Sequence, residues 1–155
     1  MRVGVWALAT LMLVTGCSSS TEPISDTQVD GFDVQLTVDT HAPVVGEQIT
    51  ATFTVRNTTD DYRSRTFPPG EVGPLPILIN ADLLEYEFDT GIFGFDLDPT
   101  APHTLTLQPH DYSATDFHFT AQRAGSTSIT LCFPTTDEGP QPKKCVSTLL
   151  TITAQ

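Results

Sequence analysis

Four histidines are the first candidates for chemistry in this sequence of 155 residues: His41, His103, His110 and His118. They are scattered over segments that read as turns and strands. Asp116 and His118 are two residues apart and would share one strand face, with His110 as a nearby third group. Imidazole and carboxylate groups bind metals, so this trio is one hypothesis for a metal site. The alternative, which we favour, is that these are exposed side chains on a solvated sheet.

Catalytic motifs are missing from the sequence. It contains no nucleophile turn of a hydrolase, no phosphate-cradling loop and no helical zinc motif. No nucleophile, base and orienting group can be grouped from the order of the residues. We therefore expect a protein that is not an enzyme.

An acidic segment from Leu83 to Asp98 gives a second hypothesis for a metal site. A two-residue turn at Thr90–Gly91 would gather four carboxylates on the outer face of a hairpin: Glu85 opposite Asp96, with Glu87 and Asp98 as diagonal neighbours. Like charges so placed repel one another unless a cation or a basic partner relieves them. Calcium prefers carboxylate oxygens, so a weak calcium site is one hypothesis. A plain acidic surface is the other, which we favour, and no other cofactor is expected.

Cys17 follows an N-terminal segment with the features of a signal peptide. Met1–Arg2 supply one positive charge, and the apolar run Val3–Val14 is too short to span a bilayer as a helix. The five residues Leu13–Cys17, LVTGC, resemble a bacterial lipobox. The resemblance implies cleavage after Gly16 and attachment of diacylglycerol to the sulfur of Cys17, which anchors the chain to a membrane.

The same segment predicts the location and the domain organisation. Ser18, and not Asp, follows the cysteine, so nothing signals retention in an inner membrane. We expect a lipid-anchored protein of the bacterial cell envelope, in the outer membrane if the cell has two membranes. After the signal peptide (1–16), residues 17–30 have almost nothing to bury and predict a flexible tether. Residues 31–155 are expected to form one domain. Ordinary secretion is the alternative to lipid anchoring.

Cys132 and Cys145 flank a loop from Pro134 to Lys144 that contains proline and glycine. Both have the parity opposite to that of the inward residues of their strands, so a hairpin brings them together on its outer face. Opposed residues of an antiparallel pair are close enough for a bridge. In an oxidising envelope we expect a disulfide, which leaves no spare thiol if Cys17 carries lipid.

The elements that must position these groups are strands, because apolar and polar residues alternate along most of the chain. No stretch after the signal peptide shows convincing apolar residues at helical spacing. The alternation predicts the following inward residues: Phe32, Val34, Leu36, Val38, Ile49, Ala51, Phe53, Val55, Leu105, Leu107, Phe117, Phe119, Ile129, Leu131, Phe133, Val146, Leu150 and Ile152. Seven or more short strands predict an all-β fold of two packed antiparallel sheets.

The first two strands carry a further resemblance. With the turn from Pro43 to Gly46 and the exit Val55-Arg56-Asn57-Thr58, they resemble the A and B strands of bacterial immunoglobulin-like domains. The resemblance implies an immunoglobulin-like antiparallel β-sandwich. Within that group the chain resembles the family of the bacterial intracellular proteinase inhibitor, a small all-β domain. Proteinase inhibition is thus an alternative function.

A proline-rich segment from Phe67 to Pro76 is the candidate contact loop. Its four prolines stiffen it, and a stiff exposed loop loses less conformational entropy when it binds a partner. It would be a recognition loop, or the reactive loop of an inhibitor, with these contact residues: Phe67, Pro68, Pro69, Glu71 and Leu75. The alternative, and the more common role of such a segment, is a plain link between two sheets.

The balance of acidic and basic residues limits the classes of partner that can be expected. The sequence has 19 acidic residues against 7 basic ones, a formal net charge of -12. Nucleic acid is excluded as an expected partner, because binding phosphates requires the opposite sign. We therefore predict a lipid-anchored envelope protein with a non-catalytic binding domain and an envelope protein as its partner. Proteinase inhibition and a cation-stabilised structural spacer are the alternatives.

Overall fold

The computed structural model describes residues 27–67, 76–87, 91–92, 95–96, 101–134 and 143–155. Within these residues there are twelve strands: β1 (Thr27–Val29), β2 (Phe32–Val38), β3 (Gln48–Asn57), β4 (Arg63–Phe67), β5 (Ile77–Ile79), β6 (Leu84–Glu87), β7 (Gly91–Ile92), β8 (Phe95–Asp96), β9 (His103–Leu107), β10 (Tyr112–Ala121), β11 (Gly125–Pro134) and β12 (Lys143–Ile152). A 3-10 turn at Ala81–Leu83 precedes β6. In this part of the chain no helix is long and apolar enough to cross a membrane.

The strands form two main sheets, and all the strand pairs are antiparallel. The five-stranded sheet has the order β1-β2-β3-β10-β6, and the three-stranded sheet has the order β12-β11-β5. Two smaller ribbons pair β4 with β9 and β7 with β8. The predicted all-β antiparallel fold is therefore confirmed.

The core lies between the two main sheets. All of the predicted inward residues are buried, with exposed fractions of 5% or less. The ring of Phe32 in the five-stranded sheet contacts that of Phe133 in the three-stranded sheet edge to face, with centroids 5.5 Å apart. Strict alternation in β2 and β3 puts every second side chain into this core, so period-two patterning predicted it correctly.

The predicted tether ends earlier than Asp30. Residues Thr27–Val29 form β1, which pairs with β2 so that Val29 lies opposite Phe32. Asp30 and Gly31 form the two-residue connection with φ values of 44° and 82°. Asp-Gly with two positive φ angles is the preferred connection for a tight hairpin, because its twist matches that of the strands. Residues 27–30, which the sequence assigned to the tether, therefore belong to the first hairpin of the sheet.

Candidate binding surface

The β11–β12 hairpin carries the predicted disulfide. Cys132 lies directly opposite Cys145 in the register, with Cα atoms 4.0 Å apart, and the two sulfur atoms are bonded. Their neighbours Leu131, Phe133 and Val146 face the core, so the bridge lies on the outer face of the three-stranded sheet. The prediction of this disulfide is confirmed.

The same outer face carries three exposed aliphatic side chains. Ile77 and Ile79 of β5 are 56% and 59% exposed, and Leu149 of β12 is 62% exposed. Ile79 and Leu149 flank the short Ser128 of β11 in one row of the sheet, and Ile77 lies opposite Thr130 in the next row. We call Ile77, Ile79 and Leu149 the apolar patch. Serine and threonine are too small to cover it, so the three side chains form a group open to solvent.

Strand β5 is an edge strand among the described residues, because β11 is its one neighbour there. An edge strand presents unpaired backbone groups on its outer side, and these can receive a strand from another chain. The apolar patch therefore borders a backbone edge.

The predicted contact loop leads directly into β5, but its first residue is not part of a surface. Phe67 ends β4 and is 1% exposed, and its ring contacts that of Phe133 at 5.9 Å. The assignment of Phe67 to an exposed loop is wrong, because an aromatic ring at this position fills the core. The other predicted contact residues lie outside the described residues: Pro68, Pro69, Glu71 and Leu75.

The register predicted for the acidic segment is wrong. Strand β6 pairs with β10, which places Glu85 opposite Thr120, and Asp96 lies opposite Gly91 in the short β7–β8 ribbon. Pairing with β10 brings the ring of Tyr86 to 5.3 Å from that of Phe119, centroid to centroid. The long strand β10 offers more side-chain packing than a local hairpin does, so β6 pairs with β10 although the two are far apart in the chain.

The carboxylates of β6 have protein partners. Glu85 accepts a hydrogen bond from Gln122 at 2.7 Å, and Glu87 accepts one from Thr120 at 3.3 Å. Asp98 lies outside the described residues. Across the described part of the chain no three His, Cys, Asp or Glu side chains are grouped so that they could hold a metal ion. The arrangement that motivated the calcium hypothesis is therefore not formed.

The histidine and aspartate trio is not brought together either. His110 Nε2 contacts Asp60 at 2.9 Å in the turn before β10, and Asp116 accepts a hydrogen bond from Thr52 at 2.6 Å. His118 lies opposite Glu87 and Thr50 at the other end of β10. Cys17 lies outside the described residues, so its lipidation stays a prediction.

Sequence reasoning missed the apolar patch, although two signals pointed to it. Adjacent Leu149 and Leu150 cannot both face inward in a strand, so one of them had to be exposed. The run Ile77-Leu78-Ile79 places two isoleucines on one face, and Leu78 between them packs against the core. Which face is buried depends on the neighbouring strand, and that is decided by tertiary pairing.

Comparisons with known proteins identify the fold. No family model matches the sequence, and no curated protein sequence matches it. Solved structures of bacterial alpha-2-macroglobulins do match. The crystal structure of Salmonella alpha-2-macroglobulin reacted with methylamine has a TM-score of 0.50 at 13% identity, covering 77% of this chain and 7% of that one. The native conformation of the Escherichia coli protein, from electron cryo-microscopy, gives 0.52 at 14%, covering 78% and 7%.

A third similar structure is a fragment of native Escherichia coli alpha-2-macroglobulin from domain MG7 to the C-terminus. It gives a TM-score of 0.52 at 13% identity, covering 78% of this chain and 16% of that one. The chain thus spans a small share of the length of each of these proteins. At such low identity the similarity shows the fold alone, and it confirms an immunoglobulin-like β-sandwich.

Proposed function

We propose that this chain is a lipid-anchored protein of the bacterial cell envelope whose β-sandwich is a non-catalytic domain that binds another protein. The observation that carries the proposal is the apolar patch of Ile77, Ile79 and Leu149, each more than half exposed on one sheet face. Grouped exposed apolar side chains with polar neighbours are typical of protein contact sites. The proposed lipid anchor rests on the resemblance of residues 13–17 to a lipobox.

The size of the patch suits a moderate contribution to affinity. Burying the exposed part of each of its three branched side chains contributes about 1 kcal/mol. A total of about 3 kcal/mol changes a dissociation constant by roughly 100-fold. Ser128 lies between Ile79 and Leu149, and Thr130 lies beside Ile77, so a partner must match both the apolar patch and these hydroxyl groups.

Photo-crosslinking in the producing cells tests the protein partner. The photo-reactive residue benzoylphenylalanine is placed at position 149, in the apolar patch, or at position 62 as a matched control. Tyr62 is also an exposed apolar residue, at 68%, but it lies outside the patch. We expect one protein adduct from position 149 and none from position 62.

Two variants then decide whether the patch makes the contact. Ile77→Thr and Ile79→Thr keep a β-branched residue in β5 and remove apolar surface. We expect each to reduce the adduct formed from position 149. An adduct whose yield does not change, or no adduct at all, contradicts the proposal. A protease as the adduct would favour the inhibitor alternative.

Metabolic labelling tests the anchor. Cells grown with an alkyne-bearing palmitate should label the full-length protein, and Cys17→Ser should remove both the label and retention in the membrane fraction, because the thiol carries the diacylglycerol. Cys145→Ser is the matched control and should keep the label. Labelling that survives Cys17→Ser would contradict lipidation at this position.

A further inference from the structure

The outer face of the five-stranded sheet contains a depression, on the other main sheet from the apolar patch. Its volume is about 490 Å³, and it is lined by six residues: Asp33, Gln35, Thr54, Arg56, His110 and Tyr112. The lining spans β2, β3 and β10, three neighbouring strands. Two strand spacings amount to about 10 Å, so the depression is wide enough for a small ring-shaped ligand. Its volume falls within the range of about 300–1000 Å³ found for small-molecule sites.

The strand register explains why a hollow forms here. Asp33, Arg56 and Tyr112 lie side by side in one row of the sheet. In the next row Thr54 lies between Gln35 and Ala114. Thr54 and Ala114 are short, whereas Arg56, Tyr112 and Gln35 around them are long. The long side chains therefore stand above a low floor at Thr54.

Three of the lining side chains have hydrogen-bonding groups that are available to a ligand. Within the described residues, the side chains of Asp33, Gln35 and Arg56 make no hydrogen bond or ion pair with another residue, although Asp33 and Arg56 lie opposite one another in the register. His110 differs, because its Nε2 contacts Asp60 at 2.9 Å at the margin of the depression. A carboxylate, an amide and a guanidinium thus offer both donors and acceptors to a ligand.

An exposed aromatic ring completes the lining. Tyr112 is 64% exposed, although it lies in a long strand beside the central strand of the sheet. An aromatic side chain supplies a rigid apolar surface together with a polar hydroxyl group. Its exposure leaves that surface available to a ligand at the end of the row that begins with Asp33.

The charges favour a neutral ligand. Asp33 and Arg56 are adjacent and of opposite sign, so an anionic ligand near Arg56 meets the carboxylate and a cationic ligand near Asp33 meets the guanidinium. A molecule with many hydroxyl groups and an apolar ring face satisfies donors, acceptors and the aromatic surface together. We propose that this depression binds a neutral sugar unit of a glycan. The site lies on a different sheet from the apolar patch and is independent of the proposed protein contact.

Direct titration tests the sugar site. The full-length protein is purified in lauryldimethylamine oxide, a detergent without a sugar headgroup, and titrated by calorimetry with triacetylchitotriose, maltotriose and cellotriose. These probes separate an N-acetylhexosamine chain from hexose chains. We expect saturable binding of at least one of them, with a dissociation constant on the order of 1 mM. Trigalacturonate, an anionic trisaccharide, should bind more weakly than the best neutral probe.

Variants of one exposed residue locate the binding. Tyr112→Ala should weaken the best neutral probe by about tenfold or more, whereas Tyr112→Phe keeps the ring and should retain most of the affinity. Tyr62→Ala, which removes an equally exposed tyrosine elsewhere, should change nothing. Three results would overturn the proposal: no saturable binding of any neutral probe, tighter binding of trigalacturonate, or binding that Tyr112→Ala leaves intact.

Discussion

At the scale of single residues, Asn57 at the end of β3 joins two loops from inside the protein. Its side chain is completely buried. The amide nitrogen donates to the carbonyl oxygens of Asp61 at 2.8 Å and Gln108 at 2.9 Å, and the amide oxygen accepts from the backbone nitrogen of Thr59 at 3.0 Å. It thus ties the connection after β3 to the connection after β9.

Replacing Asn57 with alanine should strongly destabilise the domain. The change leaves buried backbone groups without partners, each of which costs about 1–3 kcal/mol. We expect the free energy of unfolding, measured by urea denaturation, to fall by about 2–4 kcal/mol. Asn80→Gly is the control, because the hydrogen bond that the Asn80 side chain donates to the carbonyl oxygen of Ser126 is exposed and the φ of 55° suits glycine. A loss below about 1 kcal/mol for Asn57→Ala would contradict this role.

At the scale of elements, two glycines close turns at which a side chain would be strained. Gly31 in the β1–β2 hairpin has a φ of 82°, and Gly46 before β3 has a φ of 88°. A Cβ atom at Gly31 would lie 2.7 Å from Cγ2 of Thr59, whereas one at Gly46 would meet nothing nearer than the Gln155 side chain at 3.8 Å. Thr59 cannot easily move, because its hydroxyl donates to Asn57 at 2.8 Å.

The two alanine variants should therefore differ in stability. Both carry the backbone cost of a left-handed conformation, about 1–2 kcal/mol. Gly31→Ala should lose a further 1 kcal/mol or so, because the methyl group also collides with Thr59. Urea denaturation of the two variants under the same conditions measures the difference. Equal losses would show that contact with Thr59 does not constrain the hairpin.

The disulfide should stabilise the β11–β12 hairpin and with it the three-stranded sheet. The bridge joins residues 13 apart in the chain, and the chain-entropy relation gives about 3 kcal/mol for a loop of this length. We expect Cys132→Ser with Cys145→Ser to lower the free energy of unfolding by about that amount. Cys17→Ser is the matched control and should leave the stability unchanged, since residue 17 precedes the β-sandwich. A double variant as stable as the parent would contradict the prediction.

At the scale of the whole molecule, negative charge opposes compaction. The formal net charge is -12, and self-repulsion of this kind weakens as salt screens it. We expect the melting temperature to rise as sodium chloride is increased from low concentration. Calcium chloride at equal ionic strength should give the same rise, because Glu85 and Glu87 already have protein partners. A markedly larger rise with calcium would restore the calcium hypothesis.

The two proposed surfaces lie on different sheets of the sandwich. The apolar patch is on the outer face of the three-stranded sheet, and the depression proposed to bind a sugar is on the outer face of the five-stranded sheet. The buried core separates the two outer faces, so a domain of this shape can hold a protein on one side and a glycan on the other.

The sequence by itself determined most of the long strands and their inward sides, whereas the short strands β1, β4 and β5 were not predicted. Alternation is a local property, and a strand with one apolar face buries that face whatever its partner is. This is why the core residues between Phe32 and Ile152 followed from alternation, and the disulfide between Cys132 and Cys145 followed from alternation together with the loop between them. The Asp-Gly pair at Asp30–Gly31 is likewise a local signal for the tight hairpin found there.

Tertiary structure alone decided which strands are neighbours. Glu85 faces Thr120 and not Asp96, because β6 packs on the distant β10. Phe67 is buried, and Ile77 is exposed, for the same reason. Pairing between segments far apart in the chain depends on the total packing of both sheets, which no local pattern encodes. The long alternating strands could therefore be predicted from the sequence, whereas the short strands and the two proposed binding surfaces required the fold.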